Sequence, residues 1–381
     1  MAERSGVVGL LERLVAWPTV SDRSMLACAA DVAQRCEDLG FRVERFVDPR
    51  DAQKSSVIAS IGPPGTDGLV VSGHMDVVPV EGQPWTSDPF VLTERDGRLH
   101  ARGSADMKGF IAATLTALAR IPRDAYTREL VLVWTHDEEV GCLGSAAIAD
   151  HLLAAGRPLP KDALIGEPTS FQILRMHPGH VAIELDVHGT AAHSSRPDLG
   201  VNAIEGIARV VRTIQDLAEE LARDPADLPE LPRPIVAVNI AEIHGGSAIN
   251  IVPDHARVRV GYRPLPGHDP HAVFERIRAR VSDLALPGGF DARVLRVTPA
   301  MLTPRHTPLE HTLAEHACTA EVGAASFATD GGNLAKLGMR PLVFGPGDIN
   351  VAHKADEYVP IAELERAVDI VERVVRHHCC H

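Results

Sequence analysis

The sequence has no apolar run of about eighteen residues, the length a helix needs to cross a bilayer, so no membrane span is expected. A cysteine framework is also missing. Cys28, Cys36, Cys142, Cys318, Cys379 and Cys380 follow no scaffold spacing and read as reduced thiols of a cytoplasmic protein. Positive charge is in deficit: the formal net charge of −13 disfavours nucleic acid and anionic membranes as partners. The start, Met1-Ala2-Glu3-Arg4-Ser5, leads into an amphipathic segment interrupted by Glu12 and Arg13, which is not a secretory pattern. Internal repeats and low-complexity stretches are lacking too. A hydrophobic content of 45% with 23% charged residues leaves a globular protein, and 381 residues are long for one core, so two domains are expected.

What is present is a series of short apolar runs, each ending in metal-ligand chemistry. Gly68-Leu69-Val70-Val71-Ser72 reads as a buried strand, and His74 and Asp76 follow it. Glu129 to Thr135 is a second strand, leading to His136-Asp137-Glu138-Glu139. Asp162-Ala163-Leu164-Ile165 is a third, ending at Glu167, and Pro341-Leu342-Val343-Phe344 is a fourth, leading towards His353. Asp106 precedes an apolar helical run, Phe110 to Leu118. In an open α/β sheet, ligands gather beyond the carboxyl ends of the strands, so four strand ends would deliver these side chains to one rim.

Each element alone has an ordinary explanation. His-x-Asp is usually a surface hydrogen-bond pair, Glu138-Glu139 a solvated loop, and Asp106 a helix N-cap. The set is different. Carboxylates converging at strand ends repel one another, and divalent cations remove that cost. Oxygen and imidazole donors without cysteine suit zinc first, with cobalt or manganese as alternatives.

The middle of the chain changes pattern. His180 to His188 alternates as a half-exposed strand, and a helix follows from Asn202 to about Arg223. After a proline-rich stretch come strands Ile235–Ile243 and Ala256–Tyr262, a helix from about His271 to Leu284 and a strand Asp291–Val297. This β-α-β-β-α-β order is a ferredoxin-like unit. It reads as an insertion at 179–297 into a domain formed by 1–178 and 298–381. The expected fold is therefore α/β, with a mixed, mostly parallel sheet flanked by helices, plus an inserted α+β domain.

The ordered set resembles the M20 family of metallopeptidases and amidohydrolases, from Leu10-Leu11-Glu12-Arg13-Leu14-Val15 to Asp356-Glu357-Tyr358-Val359. Trp85-Thr86-Ser87-Asp88-Pro89-Phe90, Ile165-Gly166-Glu167-Pro168-Thr169-Ser170, Arg263-Pro264-Leu265-Pro266-Gly267 and Gly345 to His353 are most similar to the acetylornithine-deacetylating branch. The resemblance implies two divalent cations: one held by His74 and Glu167, the other by Glu139 and His353, with Asp106 shared. It implies Asp76 as hydrogen-bond acceptor for His74, and Glu138 as general base. The inserted unit would be a lid and dimerisation domain of a homodimer. His193 would help hold the oxyanion, and Arg263 and Asn250 would bind the substrate carboxylate. The implied reaction is hydrolysis of a small N-acyl amino acid, N-acetyl-L-ornithine first, within arginine biosynthesis. Phe327-Ala328-Thr329-Asp330-Gly331-Gly332-Asn333 looks more like the desuccinylase and carboxypeptidase branches, and its Gly331 and Gly332 would let the backbone approach a ligand.

Desuccinylase, aminoacylase and dipeptidase activities stay open within the family. Outside it stand a two-metal phosphohydrolase and a catalytically silent metal-binding protein, the latter disfavoured by the intact Glu138. The terminal His377-His378-Cys379-Cys380-His381 holds only metal-ligand residue types, but it reads as a fraying end with adventitious affinity.

Overall fold

The computed structural model describes residues Gly6 to Cys380, so Met1–Ser5 and His381 lie outside the described residues. Two compact units emerge. The first comprises the chain up to Met176, Leu302–Ala324 and Thr329 onward; the second comprises His177–Met301 with Ala325–Ala328.

The first unit is built on a mixed sheet. Its central order is Arg42–Val47, Ser55–Ile61, Glu129–Thr135, Gly68–His74, Asp162–Ile165, Arg340–Val343 and Leu174–His177. The four strands from Glu129–Thr135 to Arg340–Val343 run parallel, and antiparallel strands flank them on both sides. Parallel strands are covered on both faces, which explains their unbroken apolar character. Every residue of Glu129–Thr135 and Asp162–Ile165 is buried, whereas the edge strand Arg42–Val47 is largely exposed. Glu129 is tolerated inside because Arg157 pairs with it at 2.8 Å.

Register brings the ligand segments level. His74 sits opposite Thr135, Ser72 opposite Ile165, and Val343 also opposite Ile165. The strand predicted to stop at Ser72 runs on through His74, so His74 is its last residue. The helices Gly6–Val15, Lys108–Leu118 and Ile361–Cys379 pack together on the sheet, joined in one core with Phe110, Trp134 and Val371.

Gly166 precedes Glu167 at one of these strand ends, where Phe110 of helix Lys108–Leu118 packs against it. A Cβ there would stand 1.9 Å from Cδ1 of buried Phe110. Gly166→Ala is therefore expected to destabilise the protein by about 1–3 kcal/mol, the usual cost of overpacking. The denaturation midpoint reads this out; an unchanged midpoint contradicts the packing argument.

The second unit carries a four-stranded antiparallel sheet ordered Ala237–Gly245, His255–Arg263, His180–His188, Phe290–Thr298, with helices Ala203–Ala222 and Ala272–Ser282. The β-α-β-β-α-β order is the one read from the sequence. Ala203, Ile207, Val210, Ile214 and Leu217 form the buried stripe of the long helix, and the Asn202 side chain caps it by accepting from Ile204 N at 2.9 Å. Ala256, Val258, Val260 and Tyr262 alternate inward. On the other face, Arg257 and Arg259 pair across strands with Asp186 at 2.9 Å and Glu184 at 2.7 Å.

Candidate metal centre

The centre begins at the end of strand Gly68–His74. The His74 ring places Nδ1 2.9 Å from the carbonyl oxygen of Asp76. A carbonyl only accepts, so Nδ1 carries the proton, and Nε2 points to Asp106 Oδ1 at 3.0 Å. Asp76 thus accepts from His74, as expected, through its backbone carbonyl; its carboxylate Oδ1 is 3.7 Å from Nδ1, beyond hydrogen-bond reach. The Asp76 carboxylate instead accepts from Glu138 N at 3.0 Å, Glu139 N at 3.2 Å and Ser21 Oγ at 2.8 Å. The cause is that the turn after Thr135 has left the sheet, so its amides have no ladder partner and must be satisfied by a side chain. Asp76 therefore fixes both the His74 tautomer and the Glu138-Glu139 turn.

Asp106 lies between two imidazoles, with Oδ2 3.2 Å from His353 Nε2. His353 Nε2 also meets Glu139 Oε2 at 3.0 Å. Asp106 is not a helix cap: helix Lys108–Leu118 starts after Met107 without a side-chain cap bond. Its backbone is held by Glu357, whose Oε1 accepts from Ala105 N and Asp106 N, each at 3.0 Å. Arg102 neutralises Glu357 at 2.7 Å, both fully buried. Arg102 also donates to Gln83 Oε1 at 2.6 Å, and Gln83 Nε2 donates to the His353 carbonyl at 3.0 Å. His353 adopts φ 63, a left-handed backbone that non-glycine residues avoid.

His74, Asp106 and Glu139 bring ligand atoms within 4.8 Å of one another, and His353 touches two of the three. Glu167 is buried beside them, coupled by charge to Asp106, His74 and Glu139. Electrostatics report crowding. Burial and the neighbouring Asp106 push Glu139 up to about 7. Burial holds Glu138 and Glu167 well above the usual carboxylate range, with further repulsion from nearby acids. Asp106 and Glu139 hold His353 up to about 10. Burial opposes the charge on His74, but Asp106, Glu167 and Asp76 outweigh it and raise its pKa.

Crowded buried carboxylates of this kind are what a divalent cation neutralises. Among the described residues Glu139 Oε1 is buried with no hydrogen-bond partner, and His74 presents a lone-pair nitrogen to the cluster. The donor set of oxygens and imidazoles fits a borderline divalent cation, as the sequence led us to expect.

Other expected residues fall elsewhere. His193 lies in the second unit on a two-residue strand opposite Ile251, its Nδ1 2.7 Å from Ser195 Oγ. The neighbouring Ser194 N donates to the Asn250 carbonyl at 3.0 Å, so His193 and Asn250 share one loop cluster. Arg263 ends strand His255–Arg263 and lines a cleft of about 600 Å³ with His180, Asn239 and Arg259. Gly331 and Gly332 are buried in the first turn of helix Gly331–Lys336, so the segment expected to be a loop is a helix start. Thr329 Oγ1 accepts from Gly331 N at 3.1 Å and begins the turn.

The carboxyl end is also corrected. His378 Nε2 meets Thr312 Oγ1 at 3.1 Å, and the Cys379 carbonyl accepts from Thr127 N and Arg128 N at 2.8 and 3.0 Å. Unpaired amides at the start of strand Glu129–Thr135 anchor it, so the helix end is docked rather than frayed. Among the described residues the tail joins no ligand cluster.

Sequence reading missed Asp330 and Cys142, which join Glu138 in a second group within 4.8 Å. Asp330 is buried and accepts from Thr135 Oγ1 at 2.6 Å. It stood in a segment read for its glycines, and no spacing rule linked it to Glu138.

A parallel sheet whose carboxyl rim gathers buried acids and two histidines defines a metal-dependent hydrolase. The chain belongs to peptidase family M20/M25/M40, whose profile matches residues 70–377. An acetylornithine deacetylase of Myxococcus xanthus is 36% identical over 376 residues, covering 97% of this chain and 96% of the relative. An M20 metallo-carboxypeptidase of Sulfolobus solfataricus shares the fold with a TM-score of 0.79 at 18% identity, covering 98% of this chain and 99% of that one. A dinuclear metal-binding M20 peptidase of Bacillus subtilis does so with a TM-score of 0.67 at 14% identity and 97% coverage of both. No helix among the described residues is long and apolar enough to cross a membrane.

Proposed function

We propose that this chain is a two-cation amidohydrolase that cleaves N-acyl amino acids, with N-acetyl-L-ornithine as the leading substrate and L-ornithine and acetate as products. The observation that carries the substrate is the 36% identity, over 97% of this chain, to a protein named for that deacetylation. His74 and Glu167 would hold one cation, Glu139 and His353 the other, and Asp106 both. When bound, such a pair lowers the pKa of water and polarises a carbonyl. Glu138 takes a proton from the attacking water and passes it to the leaving amine. Its half-buried position, held at the backbone by Asp76, supports that role.

His193 donates to the developing oxyanion, and Arg263 pairs with the substrate carboxylate, helped by Asn250. Gly331 and Gly332, at a buried helix start, would let the backbone approach the ligand. Within one copy, His193 and Asn250 lie towards the His255 end of a nine-residue strand and Arg263 at the other end, roughly 25 Å apart by strand rise. One small substrate spans this only if the two ends come from different copies, which supports a homodimer with His193 acting in trans; light scattering would read the assembly. All six cysteines are free, in keeping with a cytoplasmic setting.

A substrate panel on metal-reconstituted protein, with ninhydrin detection of freed amine, tests the reading. N-acetyl-L-ornithine is expected to give the highest kcat/KM. A preference for N-succinyl-diaminopimelate or dipeptides would move the protein to the branch that Thr329-Asp330-Gly331-Gly332 resembles, and phosphate release from esters would move it out of the class.

A further inference from the structure

Cys142 has no part in the machinery above, yet its thiol touches the proposed base. Sγ lies 3.3 Å from Glu138 Oε1, within range for a sulfur hydrogen bond. An ionised carboxylate only accepts, so the S–H donates. Among the described residues no other hydrogen bond reaches that carboxylate, so Oε1 is tied and Oε2 is free.

The backbone carrying this thiol is unusual. Cys142 adopts φ 58, the left-handed region where glycine is the low-cost residue. Three bonds hold it there. Its amide donates to the Glu138 carbonyl at 2.8 Å, closing the turn that carries the base. Its carbonyl accepts from Asn333 Nδ2 and from Ser145 Oγ, each at 3.1 Å, and Asn333 also reaches Ser145 Oγ at 3.0 Å. Cys142, Ser145 and Asn333 are all buried. Asn333 thus holds the residue whose thiol meets the base.

The residue type fits the task. A lysine or arginine at this distance would pair with Glu138 and reduce its readiness to take a proton. A thiol is a weak, neutral donor, so it orients the carboxylate while leaving it basic.

We propose that Cys142 is a positioning residue for the Glu138 base: its S–H, held by Asn333 and Ser145 in a left-handed turn, fixes Oε1 so that Oε2 meets the water proton. This rests on Glu138 being the base.

The test compares Cys142→Ala, Cys142→Ser, Cys142→Gly and Glu138→Gln in the full-length, metal-loaded protein, measuring kcat, KM, bound metal and Tm. Cys142→Ala is expected to lower kcat about tenfold, the scale of one charge-assisted hydrogen bond, with KM and bound metal unchanged. Cys142→Ser keeps a donor and should recover most of the rate. Cys142→Gly relieves the left-handed backbone, so its Tm should exceed that of Cys142→Ala while its kcat stays low. A purely structural cysteine predicts the opposite, with activity returning alongside stability. Full kcat in the Gly or Ala variant overturns the proposal, as does a Ser variant as slow as Ala at equal metal content. Should Cys142→Ala fail to fold, the Gly and Ser variants decide. A fully active Glu138→Gln removes the base reading and this proposal together; an inactive one beside an active Cys142→Gly removes this proposal alone.

Discussion

Glu138→Gln is expected to lose about 10²–10⁴-fold in kcat, the usual contribution of a positioned general base. Glutamine keeps the shape of glutamate and an oxygen for the Cys142 thiol, so the turn held by Asp76 should survive. Bound metal should be unchanged, because Glu138 lies outside the His74–Asp106–Glu139–His353 cluster. A melting curve and elemental analysis on the same sample separate lost chemistry from lost fold. Near wild-type turnover in a metal-replete variant would remove Glu138 from the reaction.

Chelation should abolish activity altogether, and zinc or cobalt should restore it. Asp106→Ala should prevent restoration, since its two oxygens face the two histidines at 3.0 and 3.2 Å. Stability supplies a second readout. Cations that bind only the folded state stabilise it by about 2.7 kcal/mol at roughly 100 times their dissociation constant, so the metal-loaded protein should melt above the chelated one. Asp106→Ala should lose that gap. A chelated, fully active protein shown to contain no metal would overturn the class of chemistry, whatever the substrate.

The fold was legible in the sequence where burial dictated composition. The runs at Val70, Val131, Leu164 and Leu342 are apolar on both faces because they form the parallel centre of the sheet, and their ends could be read as one rim. Alternation at Ala256–Tyr262 likewise revealed one covered face, whereas His180–His188, expected to be half exposed, is buried from Ile183 to Val187 because Arg257, Arg259 and Arg293 cover Glu184 and Asp186. What stayed hidden depended on contacts between segments far apart in sequence. Asp76 could not be seen to hold the Glu138-Glu139 turn, because that bond follows from which amides the sheet leaves free. Gly331 and Gly332 suggested a loop beside a ligand, since glycine composition does not reveal a buried helix start. His378 and Cys379 suggested metal affinity or fraying, and only the unpaired amides of Thr127 and Arg128 explain why that end docks. Cys142 carried no signal at all: a lone cysteine in a chain of six free thiols says nothing about the carboxylate it touches.

The placement of strand Arg340–Val343 has a consequence for the order of events on the ribosome. It pairs with Asp162–Ile165, yet the whole second unit, His177–Met301 with Ala325–Ala328, is made between them. Domains generally fold as they emerge, so the inserted unit can finish while the first sheet still lacks a central strand. During that interval His74, Asp106, Glu139 and Glu167 already exist, but His353 and the clamp from Glu357 onto Asp106 do not. On the proposed assignment, the cation position that needs His353 is completed only when nearly the whole polypeptide has been translated, and a nascent chain stalled before Arg340 would carry an acid-rich, open rim.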